Sequence, residues 1–200
     1  TVNDGSEDSI LDYILFTERL QIPTGVASQE SDHCAGDFTQ LVLAFPLVED
    51  PDAQSIFAFL PVCPSSFPFI VCADWGLTSS RQSVHVDSAL NLWLRDHVAI
   101  VFGQAVASVP RIRENVGRYL PVADTTSSAF WAPVCTQLRT VLKEQACIFT
   151  EGGSWRKPQE VLLRVAECPA ELISNECLHT CCGKEFISEG QLKSIGRDKA

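Results

Sequence analysis

Arg81 stands at the tip of a short polar run, Leu77-Thr78-Ser79-Ser80-Arg81, set between an apolar segment and an amphipathic one. A guanidinium stays charged and presents a planar fork of donors, so an arginine on a rigid mount suits two-point contact with phosphate oxygens. The plainer reading is an arginine that closes a strand end or pairs with a surface carboxylate. Cys177, His179, Cys181 and Cys182, with Cys168 nearby, form the densest group of soft ligands, which raises zinc. There is no paired C-x-x-C, and adjacent cysteines diverge on a helix, so these are expected to be buried helix thiols and no metal site is assigned. His33-Cys34, His85, His97 and His179 could supply a base for a thiol nucleophile, but no local context supports that chemistry. Asp74 and Trp75 flank the Arg81 loop, with Trp75 expected as a core or interface anchor.

The elements that must hold Arg81 lie on either side of it. Phe67 to Ala73 is a brief apolar run bounded by Pro64, Pro68 and Gly76, which predicts a buried strand. Asp87 or Ser88 can cap a helix in which Leu90, Leu94, Val98, Val101, Ala105 and Val109 recur at helical spacing. Arg95, Asp96 and Gln104 fall between them, so one face is expected to be buried and one wet, with Pro110 ending the helix. Upstream, Ile10 to Phe16 reads as a strand or short helix broken by Pro23-Thr24-Gly25, and Ser28 to Asp37 as a surface loop. Gln40 to Leu47 and Ile56 to Val62 read as an antiparallel hairpin turned at Glu49-Asp50-Pro51-Asp52.

Beyond Pro110, Ala132 to Phe149 has helical periodicity and Glu151 to Ser154 is a loop. Trp155 to Pro158 leads toward a helix through Val161, Leu162 and Val165, and Pro169 to Cys182 toward a short helix stopped by Gly183. The fold expected is α/β (α+β): a mixed or antiparallel sheet in the first half covered by a long amphipathic helix, then a helical second half. The division falls into an α/β unit over 1–110 and a mainly helical extension over 111–200.

Of 200 residues, 46% are hydrophobic and 20% charged, which describes a globular chain. The formal net charge of -10 repels nucleic acid and anionic lipid at long range, and neither partner is expected. No apolar run is long enough to span a bilayer. Nine cysteines, odd in number and partly inside apolar runs, favour free thiols in a reducing compartment, cytoplasmic or nuclear. The acidic start at Thr1 and the absence of methionine suggest a piece of a longer protein.

Phe57-Ala58-Phe59-Leu60-Pro61, Phe67-Pro68-Phe69-Ile70, Ala73-Asp74-Trp75, Thr78-Ser79-Ser80-Arg81 and Asn91-Leu92-Trp93-Leu94 follow one another in a recognisable order. Together with Val42 to Leu47 and Lys157-Pro158-Gln159-Glu160-Val161, they resemble the region after the ATP-binding domain in sacsin-like and NO VEIN-like proteins of the GHKL ATPase superfamily. The resemblance covers roughly residues 10 to 165. More distantly, strand, Ser-Arg loop and helix resemble the middle domain of the heat-shock-ninety chaperones.

That resemblance implies that Arg81 reaches the γ-phosphate of ATP bound with magnesium by a preceding domain, with Ser79, Ser80, Gln82 and His85 around it. It also implies that client proteins are possible partners. Gln82 stands where these families have an acidic residue, and His85 where the chaperones have glutamine. The glycine-flanked aspartate that such families use for adenine is missing, so this chain by itself is not expected to hold a nucleotide. The rival readings are a protein-interaction or scaffold module without part in hydrolysis, and a zinc module built on the C-terminal cysteines.

Overall fold

The computed structural model describes residues 12–27, 36–121, 128–164 and 174–194. The acidic start, Ile10, Leu11, His33, Cys34, Val165, Cys168 and the stretch from Pro169 to 173 lie outside the described residues.

β1 (Tyr13–Gln21) resolves the ambiguous first run as a strand, followed by a single turn, α1 (Thr24–Ala27). β2 (Phe38–Pro46) pairs antiparallel with β1 along all nine residues, from Tyr13 opposite Pro46 to Gln21 opposite Phe38. Next come β3 (Ser55–Ala58), β4 (Leu60–Pro64) and β5 (Ile70–Ala73). The five strands form one mixed sheet in the order β1-β2-β5-β3-β4, with β5 antiparallel to β2 and parallel to β3.

Two expectations change here. The hairpin between Gln40–Leu47 and Ile56–Val62 does not form, because β5 lies between β2 and β3. Alternation tells which face a residue occupies but not which strand lies beside it, and Val71 and Ala73 fit between Leu41–Leu43 and Ile56 as buried neighbours. The run Ile56–Val62 is also two strands rather than one. Phe59, at φ 62°, folds it back so that Ala58 opposes Leu60. Pro61 and Pro64 then fall on the outermost strand, where a missing N–H is tolerated.

α2 (Ala89–Ser108) crosses one face of the sheet, capped by the Ser88 hydroxyl, which accepts from the Asn91 backbone N–H at 3.2 Å. It ends at Ser108 as the proline requires, and Pro110 then opens α3 (Pro110–Glu114) at a position where its lost N–H is harmless. The buried surface of α2 is wider than one stripe, since Ala99, Phe102, Gly103 and Val106 are buried as well as Leu90, Leu94, Val98, Val101 and Ala105. α4 (Ala132–Lys143) packs against α2, with Val134, Leu138 and Leu142 buried in the shared core.

The rest of the second half is less helical than the sequence suggests. β6 (Ile148–Phe149) and β7 (Trp155–Arg156) make a small hairpin. The helix expected after Trp155 is instead a 3-10 turn at Pro158–Glu160 leading into β8 (Val161–Leu162), because β8 finds a parallel partner in β9 (Glu185–Phe186). α5 (Asn175–Cys182) starts at the Ser174 cap and stops at Gly183, whose φ of 68° closes the helix as expected. α6 (Glu189–Ser194) follows. Among the described residues, no helix is long and apolar enough to cross a membrane.

One hydrophobic core runs through both halves. Phe45 stacks on Phe69, Phe69 meets Phe102, and Phe67 and Trp75 each meet Trp131 edge-on, with ring centroids 5.2 to 5.7 Å apart. Tyr119, whose hydroxyl donates to the Pro46 carbonyl at 3.0 Å, ties the segment after α3 to the end of β2. Full burial of each such side chain contributes about 1.5–3 kcal/mol.

Gly103 lets α4 approach α2. A Cβ there would run into Val141 Cγ1 and lie 2.9 Å from Gln145 Nε2, the group that donates to the Gly103 carbonyl. Gly103→Ala should therefore lower stability by about 1–2 kcal/mol, because overpacking outweighs the gain of about 1 kcal/mol in helix propensity. Urea unfolding measures it, and a stabilised variant would show that the two helices are not held this close.

Candidate functional site

β5 delivers the chain to the edge of the core at Ala73. Asp74 is exposed, Trp75 is buried against Trp131, and Gly76 to Ser88 forms a closed loop that returns to the start of α2. Leu77 and Val84 face each other as an isolated antiparallel bridge, with Val84 buried, so the limbs of the loop are paired. At the tip the Thr78 N–H donates to the Ser83 carbonyl at 3.0 Å and the Arg81 N–H to the Thr78 carbonyl at 2.8 Å.

The base of the loop is held by Asn91, which stands in the motif series but to which the sequence reading assigned no role. Asn91, with no exposed surface, accepts from the Gly76 N–H through Oδ1 at 2.8 Å. Its Nδ2 donates to the carbonyls of Gly76 at 2.7 Å and His85 at 2.8 Å. The His85 N–H also donates to the Gly76 carbonyl at 2.8 Å. One side-chain amide thus fastens both ends of the loop to the first turn of α2. The available signal was an asparagine, a poor helix former, three residues after the cap and on the same side as Leu94 and Val98.

The residues proposed around Arg81 separate into two sets. Arg81 and Ser79 are exposed and line one open cavity of about 510 Å³ together with Phe59, Asp74 and Thr78. Ser80, Gln82 and His85 do not line it. The Ser80 hydroxyl lies 3.2 Å from the Thr78 hydroxyl and accepts from the Gln82 N–H at 3.4 Å, while both backbone groups of His85 are used at the loop base. Arg81 adopts φ 57°, a left-handed conformation that is uncommon outside glycine, and among the described residues no carboxylate pairs with it.

Phe59 is the second residue that stands in the motif series without a role assigned from sequence. It is the other described non-glycine residue with positive φ, it is 89% exposed, and it lines the same cavity. Strain of this kind costs of order 1–3 kcal/mol and is retained where surrounding structure fixes it, often at binding surfaces. A second cavity of about 380 Å³ continues from Phe59 and Asp74 toward Arg19 and Phe38.

The cysteines divide by burial. Cys135 and Cys147 are buried and Cys63 is half-buried. Burial raises the thiols of Cys63 and Cys135 and pushes Cys147 up to about 11, so none of these is a thiolate nucleophile at neutral pH. Cys177, Cys181 and Cys182, expected to be buried helix thiols, are instead exposed. A side-chain hydrogen bond with Cys177 raises the Cys181 thiol. Among the described residues, no group of three His, Cys, Asp or Glu side chains could hold a metal ion.

Glu185 forms the other polar cluster, and it is a closed one. Its carboxylate accepts from the hydroxyls of Thr150 and Ser154 and from Nε and Nη2 of Arg156, the last at 2.7 Å, and it is buried. With its acceptor positions filled, it fastens the β6–β7 turn to β9. The Thr150 hydrogen bond, followed by those of Arg156 and Ser154, holds it below the ordinary carboxylate range against the opposing effect of desolvation.

The chain is 29% identical over 120 residues to Protein NO VEIN from Arabidopsis thaliana, a match that takes in 54% of this chain and 4% of that protein. The chain therefore spans only a small fraction of the relative it matches. No family model matches it, and no solved structure matches it significantly.

Two outcomes follow from these clusters. Asn91→Asp replaces two donors by a buried acceptor and should cost about 3 kcal/mol in urea unfolding, with proteolysis focused on residues 77–84. Unchanged stability would mean that the loop is held by other contacts. The lowered Glu185 value means that its contribution is present above the ordinary carboxylate range and is lost as pH falls through the lower folded value. Glu185→Gln should flatten the acid limb of a thermal-stability profile, and an identical limb in both proteins would contradict this origin.

Proposed function

We propose that the chain is a coupling and regulatory segment of a chaperone-like, GHKL-type ATPase, offering Arg81 to the γ-phosphate of ATP that a preceding domain holds with magnesium. The observation that carries this reading is the mounting of Arg81: exposed, without a carboxylate partner among the described residues, and set at the tip of a loop whose base Asn91 fixes to the core. A guanidinium held in this way reaches a phosphate with little reorganisation, the condition under which a single donor is worth about 3 kcal/mol in a transition state.

The similarity to Protein NO VEIN is consistent with this reading, and the motif series quoted from the sequence resembles that of sacsin-like proteins. In this reading Ser79, which lines the same cavity, supports the same phosphate, whereas Ser80, Gln82 and His85 act by shaping the loop. The second reading, a protein-interaction module with no part in hydrolysis, draws its support from Phe59, an aromatic side chain left in solvent beside the same cavity.

A protein that joins the preceding ATP-binding domain to this chain separates the two readings. Arg81→Ala should slow steady-state ATP turnover about 100-fold while nucleotide affinity changes less than about threefold, and Arg81→Lys should recover only part of the rate because it lacks the planar fork. Turnover unaffected by Arg81→Ala would leave the interaction module as the function.

A further inference from the structure

The sheet has a second face. α2 covers the side that carries Leu41, Leu43, Phe45, Val71 and Ile56; on the other side Ala44 and Pro46 are buried, whereas Arg19, Phe38 and Gln40 are exposed and Val42 and Cys72 half-buried. Arg19 lies opposite Gln40, and Val42 opposite Cys72, so these side chains form a continuous strip across β1, β2 and β5. The cavity that holds Arg19 lies along it and meets the Arg81 cavity at Phe59 and Asp74.

The strip has a definite chemistry. Phe38, 47% exposed, and Phe59, 89% exposed, line it, and Arg19 and Arg81 lie toward its two ends. The Arg19 guanidinium lies 4.1 Å over the Phe38 ring, which fixes its plane and leaves its N–H edges for an acceptor. Between the two arginines, Asp74 accepts from the Thr39 hydroxyl at 2.8 Å and would repel an anion placed over it. Phe59 where the two cavities meet, with a cation toward each end, therefore favours an occupant that is apolar at its centre and acidic at its flanks.

We propose that this face is a docking groove for a short extended peptide of a partner protein, with leucine or phenylalanine side chains at its centre and acidic side chains on both flanks. The apolar residues pack on Phe38 and Phe59, and the flanking carboxylates pair with Arg19 and Arg81. The inference shares Arg81 with the nucleotide reading but does not depend on it, since Phe59 and Arg19 on this chain alone carry the test.

The test uses this chain and a fluorescein-labelled peptide in which glutamates flank a leucine-phenylalanine-leucine centre, followed by anisotropy, with a lysine-for-glutamate version as comparison. Net charge alone would favour the lysine peptide, since the protein carries -10. The groove predicts that the glutamate peptide binds saturably and more tightly. Phe59→Ser and Arg19→Glu, both at exposed positions, should each weaken it about tenfold or more. Absence of saturable binding by the glutamate peptide, equal or tighter binding of the lysine peptide, or indifference to Phe59→Ser would each overturn the proposal. None of these readouts involves ATP turnover, so loss of this inference leaves the Arg81 reading standing, and the reverse.

Discussion

The candidate site depends on one buried amide. A thirteen-residue excursion from Gly76 to Ser88 would ordinarily be among the most mobile parts of a domain, because its backbone groups can bond to water as well as to each other. Asn91 changes that by offering donors and an acceptor where water is excluded and placing them against the carbonyls of Gly76 and His85 and the N–H of Gly76. Because a buried amide left unsatisfied costs more than a satisfied one contributes, the loop base has one favourable arrangement and little freedom around it. Rigidity at the base passes to the tip through the Leu77–Val84 bridge and the Arg81 turn.

The two described non-glycine residues with positive φ belong to different elements yet line one cavity. Neither conformation follows from local preference: the β3–β4 turn has no glycine or asparagine, and Arg81 is followed by Gln82 rather than a flexible residue. The strand pairing on either side of Phe59 and the hydrogen bonds that close the Arg81 loop hold them in place. At Phe59 the result is an aromatic ring in solvent, the reverse of what folding alone would favour.

Much of the architecture could be read from the chain. The strand before Arg81, the Ser88 cap, the helix ended by Pro110 and the Gly183 stop follow from local chemistry that acts within a few residues. What escaped was determined by partners distant in sequence. β5 slots between β2 and β3, β8 becomes a strand because β9 lies alongside it, and α2 is buried on a second side because α4 arrives some forty residues later. The same holds for the site. The loop that carries Arg81 was legible because a polar run between a strand and a capped helix is a local pattern, whereas the hydrogen bonds of Asn91 and the backbone conformation of Phe59 depend on contacts that no local pattern encodes.

Net charge bears on how such a site could be used. A free anion approaching a protein of charge -10 meets repulsion that physiological salt reduces but does not abolish beyond a Debye length of about 8 Å. Within contact distance, the groups that matter are Arg81, Arg19 and the intervening Asp74. Such an arrangement is poorly suited to capturing a small anion by diffusion, and better suited to one delivered by a body already held alongside, where the approach is intramolecular and the long-range field is offset by other contacts. A tethered phosphate and a peptide anchored by its apolar centre both meet that condition, which is why a strained arginine and an exposed phenylalanine on one surface are mutually consistent.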